Sequence, residues 1–270
     1  MPELPEVETV ARTLEHLIMG KEIVQATVYW PKIIKQPVSE FQQRVAHQHI
    51  GAFLRRGKAV EIQLDQGILS FHLRMEGKCY VYDKATPCDK HTHLILDFAD
   101  GSQLHYHDVR KFGRWLALLP GQENPLTANM GPEPFDVNLT GLDLYQKAKG
   151  KSQSIKAFLL DQSNLAGIGN IYANEILFAC KIKPSRRVSK ITRKQWQKLL
   201  EKTREILKEA IKQGGTTIRS YTSSLGVTGR FQQSLCVHGK SGEACPHCGA
   251  LIVRSVVAGR GTYHCPGCQK

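Results

Sequence analysis

Met130-Gly131-Pro132-Glu133-Pro134 is the stretch on which the fold turns. Two prolines and a glycine in five residues interrupt regular structure, and each proline holds the residue before it in extended backbone. The charge changes at the same place. Residues 1–135 carry 15 Lys plus Arg against 16 Asp plus Glu, whereas residues 136–270 carry 22 against 8. The net charge of +13 therefore lies wholly on the C-terminal side. The stretch reads as a junction, with one domain over residues 1–131 and a second beginning at 135. A chain of 270 residues is long enough to give each a core of its own.

Working back from the junction, the pattern is β. Val60, Ile62 and Leu64 alternate before a turn at Asp65-Gln66-Gly67, and Ile68–Leu73 follows. Leu94, Leu96 and Phe98 alternate before Ala99-Asp100-Gly101, then Leu104 and Tyr106. These are hairpin signatures. Further back, Val7, Val10, Ala11, Leu14, Leu17 and Ile18 recur with helical spacing and end at Gly20. The first domain is expected to be a β-sandwich or barrel with one flanking helix. After Gly20 only short strands are expected.

Forward from the junction the pattern is helical. Leu139–Lys149 and Ser154–Asp161 read as short helices, and Asn170–Ala179 follows the loop Leu165-Ala166-Gly167-Ile168-Gly169. Trp196, Leu199, Leu200, Thr203, Leu207, Ala210 and Ile211 mark one long helix that stops at Gly214-Gly215. Thr216 to Gly229 is rich in Thr, Ser and Gly and reads as a mobile loop on a rigid scaffold, within a helical domain over 135–229. The fold class is α+β.

A third unit, 235–270, is defined by cysteines. Cys245-Pro246-His247-Cys248 and Cys265-Pro266-Gly267-Cys268 are separated by sixteen residues. Two such knuckles make a tetrahedral four-thiolate site, and four protein ligands leave no open position. One structural Zn2+ is expected, with no catalytic metal, and metal binding supplies folding energy to a segment too short for a core. Between the knuckles, two β runs joined at Ala258-Gly259 place Arg260 at a hairpin tip, where a guanidinium suits phosphate or is simply a solvated turn residue. Cys79, Cys88, Cys180 and Cys236 have no partner spacing. His91 with His93 and His105 with His107 alternate on strands, as metal pairs or, the better reading, as solvated faces.

Eight cysteines without a secretory signal suggest a reduced compartment, and the acidic start is unlike a signal peptide. A cytoplasmic protein is expected. No stretch approaches the ~20 apolar residues of a membrane span. A basic half with no basic amphipathic helix points to a nucleic-acid partner rather than a membrane.

Chemistry concentrates at the start, Met1-Pro2-Glu3-Leu4-Pro5-Glu6-Val7-Glu8-Thr9. If Met1 is removed, Pro2 offers a secondary amine, which can attack a sugar carbon and become a cationic iminium. An α-amino group titrates near about 8, so a useful fraction is neutral at cellular pH. Glu3 and Glu6 stand by as acid and base. The same residues also read as a helix start, with Pro5 in the first turn and acids at the positive end of the dipole. Lys58, after Arg55-Arg56-Gly57, would stand in a cleft or on a basic turn, and Gly167 and Gly169 suit an anion-binding helix start.

Together these motifs resemble one family. Pro2–Thr9, His72-Leu73-Arg74-Met75-Glu76-Gly77, Asp108-Val109-Arg110-Lys111-Phe112-Gly113, Gly167-Ile168-Gly169-Asn170-Ile171-Tyr172 and the terminal cysteine knuckles stand in the order found in bacterial formamidopyrimidine-DNA glycosylases, across the whole chain. The resemblance implies a β-sandwich domain, a helix-two-turns-helix domain with a zinc-ribbon finger, and double-stranded DNA held in the cleft between. The protein would be a monomer acting on oxidised purines and abasic sites. It implies that Pro2 attacks C1′ of an everted nucleotide, that Glu3 moves protons, and that Lys58 and Arg260 serve β- and δ-elimination. Glu6, Glu76, Thr217 and Tyr221 would position the lesion within a lid over Thr216–Gly229. His72, His91, Arg110, Lys151 and Asn170 would contact DNA, with Met75, Arg110 and Phe112 filling the vacated stack. A base must leave the stack before its glycosidic bond can be reached.

One departure stands out. The family usually reads Val-Tyr-Gly-Arg before the finger, and this chain reads Val237-His238-Gly239-Lys240. An endonuclease VIII-type enzyme for oxidised pyrimidines is the nearest alternative, and the complete Met75, Arg110 and Phe112 set favours the purine enzyme. A non-catalytic zinc-finger binder of damaged DNA is the other, and the intact Pro2, Glu3 and Lys58 argue against it.

Overall fold

The computed structural model describes residues 1–216 and 229–270. By its contacts the chain divides into two units. The first contains Met1–Ala128 together with Gly214, Gly215, Thr216 and Gly229; the second contains Asn129–Gln213 and Arg230–Lys270.

The first unit opens with helix α1, Leu4–Ile18. It starts three residues before the first apolar repeat because Glu3 caps it, with the Glu3 N–H donating to Glu6 Oε2 at 2.9 Å. Leu4, Val7, Val10, Ala11, Leu14 and Ile18 are all buried. Each large apolar side chain contributes roughly 1.5–3 kcal/mol, so packing rather than propensity holds the helix. Gly20 ends it with φ +81°.

Eight strands follow: β1 Glu22–Val28, β2 Gln48–Arg56, β3 Ala59–Leu64, β4 Gly67–His72, β5 Lys78–Tyr82, β6 Thr92–Phe98, β7 Gln103–His107 and β8 Arg114–Leu118. They form an antiparallel ladder in the order β5-β7-β6-β1-β2-β3-β4-β8. Pairing is thinnest between β1 and β2, where only Glu22 with His49 and Ile23 with Gln48 are in register. The ladder folds there into two four-stranded halves around one core. Ile62, Leu69 and Phe71 of one half share that core with Leu94, Leu96 and Leu104 of the other. Tyr106 of β7 meets Trp115 of β8 edge-on, with ring centroids 5.3 Å apart.

A second helix in this unit, α2 (Val38–Val45), is absent from the sequence reading. Only Phe41 and Val45 of it are buried, too few to show a period, and tertiary bonds hold it instead. Gln42 donates to the Ala26 carbonyl and Arg44 to the Ala117 carbonyl, each at 2.7 Å.

The second unit contains α3 Gly141–Ala148, α4 Ile155–Leu160, α5 Asn170–Ala179 and α6 Arg193–Lys212. Thr140, Ser154 and Thr192 cap α3, α4 and α6 with their hydroxyls. Ile171 through Phe178 of α5 are all buried, so this helix is the axis of the unit. The link from α4 to α5 makes two turns. Gln162 holds it, with Oε1 accepting from Gly167 N–H at 2.9 Å and Nε2 donating to the Ile168 carbonyl at 2.8 Å. The junction is sewn to that link, because Gly131 N–H donates to the Gln162 carbonyl at 2.8 Å.

Strands β9 Val253–Val257 and β10 Arg260–His264 form the hairpin of the C-terminal segment. Its two-residue turn, Ala258-Gly259, has φ +52° and +68°, the mirror-image turn that matches strand twist. Val237, Cys245, Ile252 and Cys265 pack with Phe178 of α5 in a core of five buried residues.

Candidate active site

The α1 cap gathers the charged groups expected at the N-terminus. Pro2, Glu3, Glu6 and Lys58 are all buried. Lys58 reaches the site through the β2–β3 turn, where Gly57 has φ +58°. Arg55 fastens that turn to α1, with Nε bonded to Glu8 Oε2 at 2.8 Å and Nη1 to the Gly57 carbonyl at 3.0 Å. Burial lowers the pKa of the chain's terminal amine. The charges of Glu3, Glu6 and Glu76 oppose that shift, and Lys58 adds to it. An amine, an ammonium and three carboxylates thus influence one another within a largely desolvated site. The helix-start reading and the catalytic reading of Pro2–Thr9 describe the same geometry.

Both oxygens of Glu6 are engaged. Oε2 accepts from Glu3 N–H, and Oε1 accepts from Thr216 N–H at 2.8 Å and Thr216 Oγ1 at 3.1 Å. A side chain on Gly215 would collide with the same carboxylate. The sequence groups Thr216 with the helical domain. The chain does arrive there from α6, but Glu6 draws Gly215 and Thr216 into the first unit. Thr217 and Tyr221 lie outside the described residues, as does most of the Thr216–Gly229 lid.

Two loops flank Tyr106. Met75 and Glu76 are half-buried in one, and Arg110 and Phe112 are exposed in the other. Arg110 lies over the Phe112 ring, 4.7 Å from its centroid. The second loop is built on Asp108, which is fully buried. Its carboxylate accepts from the backbone N–H of Arg110, Phe112 and Gly113 at 2.8–3.0 Å, and from the Tyr106 hydroxyl at 3.1 Å. A Cβ on either Gly77 or Gly113 would overlap that hydroxyl, so both loops close on one atom. Sequence reading missed Tyr106 and Asp108 as organisers; the only sign was the glycine ending each loop motif.

The histidines differ from expectation. His93 and His105 are buried rather than solvated, and bond the Asp108 carbonyl at 2.8 Å and Gln103 Oε1 at 3.0 Å. His91 packs edge-on to His107, with centroids 5.4 Å apart. His72 is buried beside Lys58 and Arg74. Burial, then those two charges, push its pKa down to about 3, and its Nδ1 accepts from Arg74 N–H at 2.9 Å. Its neutral ring therefore carries the proton on Nε2.

In the second unit, Asn170 heads α5 and donates to the Gly261 carbonyl at 3.1 Å. Arg260 is exposed beside it on the hairpin. Lys151 bonds Asn164 Oδ1 at 2.7 Å. Lys156 was not singled out from sequence, yet it is fully buried, with Nζ donating to Asn174 Oδ1 at 3.0 Å, Gly261 O at 3.1 Å and Thr262 Oγ1 at 2.7 Å. It ties α4 to the hairpin carrying Arg260. Glu175 performs a matching task, its carboxylate accepting from the N–H groups of Cys236, Val237 and His238 at 2.7–3.0 Å.

The sulfurs of Cys245, Cys248, Cys265 and Cys268 lie within 4.8 Å of one another. Cys245 to Cys268 is 3.8 Å and Cys248 to Cys265 is 3.4 Å. A tetrahedral zinc with ~2.3 Å bonds sets its sulfurs about 3.8 Å apart, so the four fit that ion. Backbone N–H groups of His247 and Cys268 point at Cys245 and Cys265 sulfurs at 3.4 Å, as thiolates require. Gly267 leaves room for Cys248, whose sulfur would be 2.9 Å from any Cβ there. Among the described residues this is the one metal-ligating cluster, and none of their helices is long and apolar enough to cross a membrane.

Comparison with known proteins accounts for the whole chain. Residues 1–115 match the formamidopyrimidine-DNA glycosylase N-terminal domain, 130–222 that enzyme's H2TH domain, and 242–270 the zinc finger found in FPG and IleRS. The formamidopyrimidine-DNA glycosylase of Bacillus licheniformis is 46% identical over 275 residues, covering all of both chains. That of Bacillus anthracis is 45% identical over 274 residues, covering 100% of this chain and 99% of its own. Among solved structures, a Lactococcus lactis FPG point variant in complex with Fapy-dG containing DNA superposes with a TM-score of 0.94, at 40% identity and full coverage of both chains. The Lactococcus lactis Fpg bound to abasic-site DNA gives 0.93 at 40% identity, covering 99% of each chain. Motif order, zinc geometry and full-length similarity converge: the chain belongs to the formamidopyrimidine-DNA glycosylase family.

Proposed function

We propose that the protein is a bifunctional DNA glycosylase and abasic-site lyase of base excision repair, acting in the cytoplasm on nucleoid DNA. The observation that carries this is the capped start of α1, where Glu3, Glu6, Glu76 and Lys58 act on a terminal amine whose pKa burial lowers. That amine is Met1's in the full chain; with Met1 removed, Pro2 presents a secondary amine at the same buried cap. A neutral amine attacks C1′ of the damaged nucleotide, the C1′–N bond breaks, and the base leaves with a proton. Glu3 protonates the sugar ring oxygen, which opens the ring to the iminium. The iminium acidifies C2′–H, and loss of that proton expels the 3′-phosphate; a second elimination expels the 5′-phosphate. Lys58 serves the first elimination and Arg260 the second.

The remaining assignments are those that the family resemblance implies for these positions. Arg260 and Asn170 share the Gly261 hairpin and hold the lesion phosphates. Met75, Arg110 and Phe112 fill the gap left by eversion, while His72, His91 and Lys151 contact the backbone. Glu6 positions the lesion indirectly, by fixing Gly215-Thr216 ahead of Thr217 and Tyr221, and Glu76 is assigned the same task from the other loop. The four cysteines hold a structural zinc that keeps the Arg260 hairpin in place.

The test is incubation with an 8-oxoguanine duplex under borohydride, which reduces only an imine or iminium. A covalent complex mapping to Pro2 is expected, and Glu3→Gln should lose base excision while keeping more of the abasic-site cleavage. Unchanged trapping when Met1 is retained would move the nucleophile to a lysine. Faster release of oxidised pyrimidines than of 8-oxoguanine would favour the endonuclease VIII type.

A further inference from the structure

Asp89 opens the short turn that leads into β6, and its carboxylate gathers three donors. Oδ1 accepts from the His91 N–H at 2.9 Å and from the Thr92 hydroxyl at 3.1 Å. Oδ2 faces Nε2 of His107, at the end of β7, at 3.1 Å. Burial alone would raise the pKa of this carboxyl, but the bonds from His91, Thr92 and His107 hold it down at about 2. It is therefore an anion at neutral pH and can only accept, so His107 Nε2 carries a proton. The other ring nitrogen, Nδ1, is buried and has no hydrogen-bond partner among the described residues. A single bond, to Asp89, thus orients the imidazole.

The sequence pairs the histidines along their strands, whereas the fold pairs them across. Thr92 is in register with His107, which brings the His91 ring edge-on to the His107 ring. The His91 backbone is tied on both sides. Its N–H goes to Asp89, and its carbonyl accepts from the Asp108 N–H at 2.9 Å. Asp108 is also the residue that gathers the Arg110–Phe112 loop. The His91 ring itself is half-buried and bonds no protein group among the described residues. Its nitrogens are left for a partner outside the protein. Ordering a free side chain opposes binding, and here the fold has already done the ordering.

We propose that Asp89 and His107 are positioning residues for His91, the turn fixing its backbone and the His107 ring, latched to Asp89, fixing its imidazole for contact with DNA. The inference rests on the DNA-contact reading of His91 above. Asp89 and His107 act through His91 and touch no DNA themselves. Because Asp108 holds the His91 carbonyl, the same arrangement sets that contact in register with the void-filling loop.

Binding of a tetrahydrofuran-site duplex tests it through a double-mutant cycle. His107→Phe keeps a ring against His91 and removes the bond to Asp89. It should weaken binding about fivefold, within the range over which residues of one hydrogen-bond network couple. In a His91→Ala background the same substitution should have no further effect. His107→Gln, whose amide nitrogen can take the place of Nε2, should bind as the unaltered protein does. A general loss of structure would act in both backgrounds and would not be rescued. In the unaltered protein, ring 15N shifts should show His107 protonated on Nε2 with and without the duplex, while the His91 ring shifts move when the duplex is added. A bare His107 Nε2 overturns the proposal without any variant. So does His107→Phe binding as tightly as the unaltered protein, or losing affinity equally in both backgrounds; each leaves the His91 contact intact. His91→Ala binding as tightly as the unaltered protein removes that contact and the proposal with it. Failure of the unaltered protein to bind the duplex removes the enzyme reading as well.

Discussion

Under the proposed function Arg110 faces the pairing edge of the base left behind; with donors only, it would then favour cytosine, whose O2 and N3 both accept. Adenine offers one acceptor beside a repelling amino group. Lesions opposite cytosine should be excised in preference to those opposite adenine. Arg110→Ala should lose most of that preference, since a bidentate base contact is worth roughly 1–3 kcal/mol of discrimination. Single-turnover excision opposite each of the four bases measures it, and an undiminished ratio would leave Arg110 a general DNA contact. His72 and His238 make a second prediction at this scale. Their folded pKa values lie at about 3 and about 4, below the ordinary histidine value. The unfolded chain therefore binds the extra protons first, and stability is full above pH ~6.5 and falls as pH drops toward those folded values. Each histidine contributes at most about 1.4 kcal/mol per pH unit across its window. Urea midpoints from pH 7 to 4 should fall, and less steeply in His72→Gln. The four zinc-site cysteines were legible because their chemistry is tied to local spacing. Lys156, Asn174, Tyr106 and Asp108 were not, because their partners lie on other elements and only the fold assembles them.

Among elements, the Asp108–Gly113 loop has the clearest mechanical consequence. Its carboxylate gathers three backbone N–H groups and one hydroxyl. Asp108→Asn keeps the shape but turns a donor toward donors. Each buried N–H left unsatisfied costs roughly 1–3 kcal/mol, so the loop should loosen or the first domain lose stability. Excision of 8-oxoguanine should fall by more than cleavage of a preformed abasic site, where the everted base is already gone; equal losses would deny the loop its place in eversion. The finger's turn predicts a gain instead. Ala258 holds φ +52°, which costs an ordinary L-residue roughly 1–2 kcal/mol. Ala258→Gly should slow zinc loss to a chelator, and an unchanged rate would show that the hairpin is not what opens. The long periodic helix α6 was read nearly to the residue, and α5 was placed by the glycine loop that precedes it. The short α2 escaped because eight residues with two buried positions carry no usable period.

At the scale of the molecule, charge and metal act together on the second unit. Zinc removal or Cys248→Ser should abolish DNA binding, because a core of five residues cannot hold the hairpin without its metal. The first unit, with its own core, should keep its near-ultraviolet signal from Trp30 and Trp115; strand cleavage by zinc-free protein would sink this account. Arg260→Ala should weaken binding and reduce its salt slope by about one, since a phosphate-bound cation releases a counterion. The uneven charge and the proline-rich junction were visible in the sequence. The return of Gly214–Thr216 to the first unit was not, because it depends on a single carboxylate more than two hundred residues away.

The closure of two loops on the Tyr106 hydroxyl bears on how such a chain can diverge. Gly77, Tyr106 and Gly113 occupy one small volume, and no first step away from it is free. A methyl at either glycine collides with the tyrosine, while loss of the hydroxyl leaves Asp108 a partner short. The three positions should therefore be inherited as a block in lineages that keep these two loops. A lineage that abandons these loops is released at all three together, so the triplet's joint disappearance would mark a descendant in which the loops have taken another shape.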